Sequence, residues 1–240
     1  MDNETLPSRL SDESFQVEDP PDALSTGLSV LDESLGGGIS AGNIVAIKAP
    51  AESSAEQLGY ALARVRSHPT LYLSTFRPPE LIESDIEAAD QGVGTSEIHG
   101  DVCSIRREEH NQGIFADFES RLDGFCGGSV VVDVYSDWAN TAGGWEAGLP
   151  KFAKFLRESQ GIAYLYLRTD DGAVNQRINN RVVHLADTVF EYSVGESEQS
   201  ADQLRIPKAR RIQDASATLP IEHELNVSRG IEASRGETFR

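Results

Sequence analysis

Residues 43–62, NIVAIKAPAESSAEQLGYAL, place a short apolar run before a loop of small residues and then an amphipathic stretch. A strand, a tight loop and a helix in that order are the layout of a phosphate-binding loop. In the working form, GxxxxGK[ST], backbone N–H groups at the helix N-terminus cradle phosphate oxygens. The lysine contacts the terminal phosphates and the hydroxyl holds Mg²⁺. The Gly-Lys-Thr that would do this chemistry is missing here. Ser53 or Ser54 can instead cap the helix, and a carboxylate in its first turn suits the helix dipole. Further along, Asp133 closes the apolar run VVVD, and Asp137 beyond it reads as a turn residue. His68, His99, His110, His184 and His223 are scattered without metal-ligand spacing, so no metal site and no Ser/His/Asp or Cys/His nucleophile is expected. Cys103 and Cys126 form no CxxC; they make neither a zinc cluster nor a disulfide framework and suit a reducing cytosol.

The elements that must position these residues alternate between strand and helix. LSVLDESL (28–35) reads as a short helix stopped by Gly36, Gly37 and Gly38. Strands are expected at 43–48, 70–74, 102–105, 129–136 and 162–168, and helices at 54–67, 78–90, 114–125 and 145–159, the last bent or delayed by Pro150. Near-continuous apolar strands between amphipathic helices imply an α/β fold with a mainly parallel sheet covered on both faces. After residue 184 the segments HLADTVFEYSV, QLRIPKARR and ATLPIEHEL alternate with period two, and read as antiparallel strands added to one edge. Trp138 and Trp145 flank a Gly-Gly loop and are expected to anchor it to the core.

Composition bounds the rest. At 240 residues and 39% apolar content the chain can bury one sizeable core. Residues 1–22 are acidic and end at Pro20-Pro21, which reads as a disordered arm; 23–227 reads as the core domain and 228–240 as a flexible tail. The formal charge is −18, from 39 acidic against 21 basic residues, and only four of the basic ones are lysine. Such a surface fits a cytoplasm of very high salt, where dense carboxylates keep a protein hydrated. It disfavours broad electrostatic binding to nucleic acid. No apolar run approaches the roughly 20 residues of a membrane span, and the N-terminus has no apolar signal region, so a soluble, cytoplasmic protein is expected.

The run STGLSVLDESLGGGISAGNIVAIKAP (25–50) resembles the segment leading into the core of KaiC-like and RadA-like ATPases of the RecA superfamily. The matching positions are Thr26, Gly27, Leu31, Asp32, Leu35, Gly36, Gly37, Gly38, Ile39 and Gly42. The resemblance continues through SVVVDVYS to RVVHLADTVFEY and identifies a haloarchaeal-type member. It implies a RecA-like P-loop NTPase fold with C-terminal antiparallel edge strands.

The resemblance also shows what has changed. The degenerate phosphate loop is Ala49, Pro50, Ala51, Glu52, Ser53, Ser54, Ala55 and Glu56. Ala49 and Ser54 stand for its two glycines, Ala55 for the lysine and Glu56 for the hydroxyl residue. Ala55 brings no cation, while Glu52 and Glu56 put carboxylates where a polyanion would lie. Like charges about 4 Å apart repel by about 1 kcal/mol in water and by several times more in a desolvated cleft. Phe76 and Arg77 replace the glutamate that orients the attacking water in the family, and Glu80 reads as a helix-start carboxylate. Asp133 matches the Walker B aspartate, with its Mg²⁺ partner replaced by Glu56. Lys208 and Arg210 match a Lys-x-Arg that acts in trans on a neighbouring subunit's nucleotide; the alternative is a solvent-facing basic strand.

The expectation is therefore a non-catalytic or weakly nucleotide-binding protein, without ATP, Mg²⁺ or a bound metal. It would act in regulation or signalling through a protein partner, either an active KaiC/RadA-like relative or a second copy of itself. The alternatives are an ATPase with an unorthodox nucleotide site and a DNA-associated accessory protein of recombination or repair.

Overall fold

The computed structural model describes residues 23–51, 53, 55–64, 68–74, 76–88, 100–104, 127–141, 145–170, 172–194, 202–210 and 218–220. Strand β1 (Ala23–Leu24) pairs antiparallel with β2 (Ile39–Ser40), and helix α1 (Ser29–Ser34) lies between them in the chain. There follow β3 (Ile44–Ala49), α2 (Ala55–Ala63), β4 (Thr70–Ser74), α3 (Pro79–Ala88), β5 (Gly100–Ser104) and β6 (Ser129–Asp133). The remaining elements are α4 (Tyr135–Thr141), α5 (Trp145–Ser159), β7 (Ile162–Arg168), α6 (Ala173–Leu185), β8 (Thr188–Ser193), β9 (Gln203–Ala209) and β10 (Thr218–Pro220).

All strands after β2 join one sheet in the order β10-β9-β8-β3-β7-β6-β4-β5. From β8 to β5 every neighbouring pair is parallel, while β9 and β10 are antiparallel. Alternation along each strand divides the interior into two cores. Val45, Ile47, Val131, Tyr164 and Phe190 face one core with Leu31 of α1, Leu58 and Leu62 of α2 and Ile82 and Ile86 of α3. Ile44, Ala46, Val130, Val132 and Leu165 face the other with Trp138 of α4, Phe152 and Leu156 of α5 and Ile178 and Val182 of α6. A strand buried on both faces needs apolar residues at every position, and VVV and IAYLYL provide them.

The expected strand 129–136 ends earlier. Its ladder stops at Asp133, and Tyr135–Thr141 forms helix α4. Large apolar residues resume after Asp133 and hid this boundary, because Tyr135 and Trp138 are as buried as the strand before them. The segment around residue 190 is also corrected: β8 lies parallel to β3, because α6 carries the chain back across the sheet before it. Only β9 and β10 match the antiparallel edge. Helix α5 runs through Pro150 from Trp145 to Ser159. The arm at 1–22, the tail at 228–240 and the helix at 114–125 lie outside the described residues, as does the region of the Gly-Gly loop that Trp138 and Trp145 flank.

The glycine-rich segment before β3 has a steric cause. Gly38 has φ +126°, and a Cβ there would stand 2.3 Å from the Leu24 carbonyl oxygen. Asp32 fixes the same segment from the other side. Its carboxylate accepts hydrogen bonds from Ser25 Oγ (2.6 Å), Thr26 N (2.8 Å) and Thr26 Oγ1 (2.7 Å). The Thr-Gly and Leu-Asp positions of the resemblance thus have a structural task in this chain: they tie β1 to α1. Asp32→Ala removes one acceptor from three donors and is expected to cost about 2–4 kcal/mol. That corresponds to a thermal midpoint lowered by about 5–15 °C in a domain of this size, as read by circular dichroism melting.

Candidate functional site

Strands β3 and β7 are neighbours, yet the helices that follow them, α2 and α6, pack on opposite faces of the sheet. In open α/β sheets the crevice beyond the carboxyl ends of strands at such a switch point is where ligands bind. Here that edge carries a polar row on the α2 face. Ser74 and Asp133 are in register at the ends of β4 and β6, and Ala49 and Arg168 are in register at the ends of β3 and β7. Tyr60 and Glu56 extend the site from α2, with Arg77 from the β4–α3 connection.

Asp133 sits low in this row, only 7% exposed. Burial pushes its carboxyl up to about 7, and the nearby Glu56 carboxylate adds to the effect. A hydrogen bond from the Tyr72 hydroxyl and the Arg77 and Arg168 guanidinium groups act in the opposite sense. Desolvation disfavours the ionised carboxylate, a neighbouring negative charge disfavours it further, and donors to the anion recover only part of that cost. The Asp133–Val134 peptide is cis. Arg77 is folded inward: its Nη1 donates to Tyr60 Oη at 2.8 Å, and it pairs with Asp85 of α3. Burial also raises the Tyr60 and Tyr72 phenols, so both stay neutral donors across the ordinary pH range.

The loop between β3 and α2 is tied down by its own chain. The Pro50 carbonyl accepts from Ser53 N at 3.1 Å, Ser53 Oγ at 2.6 Å and Tyr166 Oη at 3.3 Å. The Ala49 carbonyl accepts from Thr169 N at 3.0 Å. The Ala51 N–H donates to Asp170 Oδ1 at 3.1 Å, so a carboxylate from the β7–α6 connection takes an amide at the loop's first turn. Ala55 begins α2 and is buried, whereas Glu56 is exposed. Glu52 and Ser54 lie outside the described residues. Of the residues singled out in the sequence, Glu56 and Arg77 thus lie near enough to Asp133 for their charges to act on it.

Lys208 and Arg210 lie elsewhere. Ala209 of β9 pairs with Thr188, the first residue of β8, so this pair stands at the opposite edge of the parallel strands. Lys208 Nζ donates to the Val183 and His184 carbonyls at the end of α6 (2.9 and 3.2 Å). Partial burial and the adjacent Arg210 charge lower its ammonium pKa. Arg210 Nη1 pairs with Asp187 Oδ1 at 3.2 Å. A cation on the last carbonyls of a helix complements its dipole. These contacts give both residues a task within their own chain.

Trp138 is fully buried against Tyr135, with ring centroids 5.4 Å apart. Among the described residues no three His, Cys, Asp or Glu side chains are grouped to hold a metal ion, and no helix is long and apolar enough to cross a membrane.

A profile for a family of unknown function, DUF7125, matches residues 23–237. The chain belongs to that family. No curated protein matches it.

Several members of the site were not singled out in the sequence. Tyr72 and Arg168 could have been found by period two, since each shares a strand face with residues of the first core. Asp170 could not, because its contact spans 119 residues between two connections.

Two buried groups give the family member opposing pH dependences. The native pKa of Asp133, about 7, lies above its ordinary 3.8, so the folded state binds more protons between those values and stability falls as pH rises through the window. His68 is 4% exposed, and burial holds it down at about 4 against an ordinary 6.5. There the unfolded state binds more protons, and stability rises with pH from about 4 to about 6.5. At about 1.4 kcal/mol per pKa unit the two slopes largely cancel in the natural chain. Asp133→Asn is expected to expose the rising slope and His68→Gln the falling one, as read from denaturant midpoints at stepped pH and constant salt.

Proposed function

We propose that this DUF7125 member is a KaiC/RadA-like domain of the RecA superfamily whose phosphate site no longer serves nucleotide chemistry. It acts in regulation or signalling through a protein partner. The observation that carries this reading is the charge at the start of α2, where the Glu56 carboxylate lies near enough to Asp133 to raise its carboxyl while Asp170 already occupies the Ala51 amide. In a working site a hydroxyl and a carboxylate there share a Mg²⁺ ion that neutralises the incoming phosphates. Here two carboxylates oppose each other, Ala55 offers no cation, and Asp170 holds the Ala51 amide. Each of these raises the cost of seating a polyanion.

One observation favours a second reading. Arg168 closes β7 in register with Ala49, so a guanidinium stands at the edge of the loop. An ATPase of unorthodox design could use it in place of the missing lysine. Equilibrium titration of the full chain with labelled ATP and Mg²⁺ in concentrated KCl separates the two. The pseudoenzyme reading expects no binding up to millimolar nucleotide. Micromolar binding with turnover, lost in Arg168→Ala, would overturn it.

A further inference from the structure

We propose that the segment from Phe76 to Leu81 is a docking ridge for a protein partner whose surface offers an apolar groove edged by arginine or lysine. This rests on the reading of the chain as a partner-binding domain. Among the described residues the large exposed apolar side chains are Val30, Phe76, Leu81, Val174 and Val194. Val30 of α1, Val174 of α6 and Val194 just beyond β8 each stand alone in their stretch of chain among the described residues. Phe76 (57% exposed) and Leu81 (51%) flank the exposed Pro78 within six residues.

The ridge is rigid before any partner arrives. Ser74 Oγ accepts the N–H groups of Phe76 (3.3 Å) and Arg77 (3.2 Å), and the Pro78 carbonyl accepts those of Leu81 (3.1 Å) and Ile82 (3.3 Å). The Arg77 side chain is turned in against Tyr60 and Asp85, and Ile82 and Ile86 fix α3 to the core. A backbone held in this way spares the segment's ordering cost on binding, which favours Phe76 and Leu81 as interface anchors.

Charge selects the occupant at contact distance, where concentrated salt screens a covered pair least. Glu80 and Glu83 are exposed beside the ridge, and the segment's one cation, Arg77, is engaged with Asp85. A second copy would bring the same carboxylates and a formal charge of −18. Nucleic acid and anionic lipid are repelled for the same reason. A groove edged by arginine or lysine pairs with the acidic rim while its floor covers Phe76 and Leu81.

The probe is a synthetic helical peptide with leucines on one face and arginines along its margins, titrated against the full chain at one fixed salt concentration. A second peptide carries glutamates in place of the arginines. The arginine peptide is expected to bind and the glutamate peptide to be refused. Phe76→Ser with Leu81→Ser should weaken binding by about tenfold or more, Glu80→Lys with Glu83→Lys by about threefold or more, and Val174→Ser not at all. Phe76 and Leu81 are exposed, so their variant should keep the natural unfolding midpoint, whereas Glu80→Lys gives up a carboxylate in the first turn of α3 and should lower it slightly; both midpoints are read alongside. The ridge is rejected by failure of the arginine peptide to bind, by equal binding of the two peptides, by binding indifferent to the ridge variants, or by self-association that those variants abolish. Such results with ATP still refused reject the ridge alone, whereas ATP turnover rejects the reading beneath it.

Discussion

Strand β3 has no solvent face and no free edge, and most of the molecule is arranged around that constraint. It pairs with β7 on one side and β8 on the other, and its two faces contribute to different cores. Both ends are pinned. Ile44 N donates to Asp187 Oδ2 at 3.2 Å and the Ile44 carbonyl accepts from Asp187 N at 2.9 Å, while the Ala49 carbonyl is held by Thr169. A strand fixed this firmly sets where α2 begins and hence which side chains meet above the ends of β4, β6 and β7. The N-terminal edge depends on the same anchor, since Asp187 also receives Arg210.

What could be read in advance follows from periodicity. Segments buried on both faces, 70–74 and 162–168, have the bounds that their apolar runs imply, because burial alone sets their composition. The segment at 129–136 shows where that logic stops: a buried strand passes directly into a buried helix, and the apolar residues resume after Asp133 as if the strand went on. Parallel or antiparallel placement of β8 is likewise invisible in its own residues. It depends on whether the preceding segment crosses the sheet as a helix, and the polar run around AVNQRINN carries α6 there. Within the site, Glu56 and Asp133 were legible because each sits at an element boundary next to a recognisable pattern. Asp170 was not, because a contact between two loops leaves no period.

The polar row raises an energetic question. A carboxylate buried beneath a helix costs free energy unless it is hydrogen-bonded, and a second carboxylate nearby increases the cost. The chain meets this with a neutral donor and with cations: Tyr72 bonds Asp133, and the Arg77 and Arg168 charges favour its ionised form. An Asp133 carboxyl near 7 is the residue of that imperfect balance. A protonated carboxyl donates a hydrogen bond as well as accepting one, so the same side chain can remain satisfied beside a second acid.

The same balance constrains how the edge can work. Ala49, Pro50 and Ala51 are held by contacts to Thr169, Tyr166 and Asp170, all near the end of β7. Opening this loop to a ligand means giving up these bonds together. Individually each is worth about 1 kcal/mol, but they share one connection and are lost as a set. The 74–79 connection is fixed differently, by Ser74 and by the inward Arg77, and its stabilising contacts leave Phe76 outside. One connection at this edge is therefore spent on holding itself shut, and the adjacent one on holding an aromatic ring out. A connection closed by its own bonds beside one that leaves Phe76 exposed is the geometry on which the proposed partner-binding reading rests.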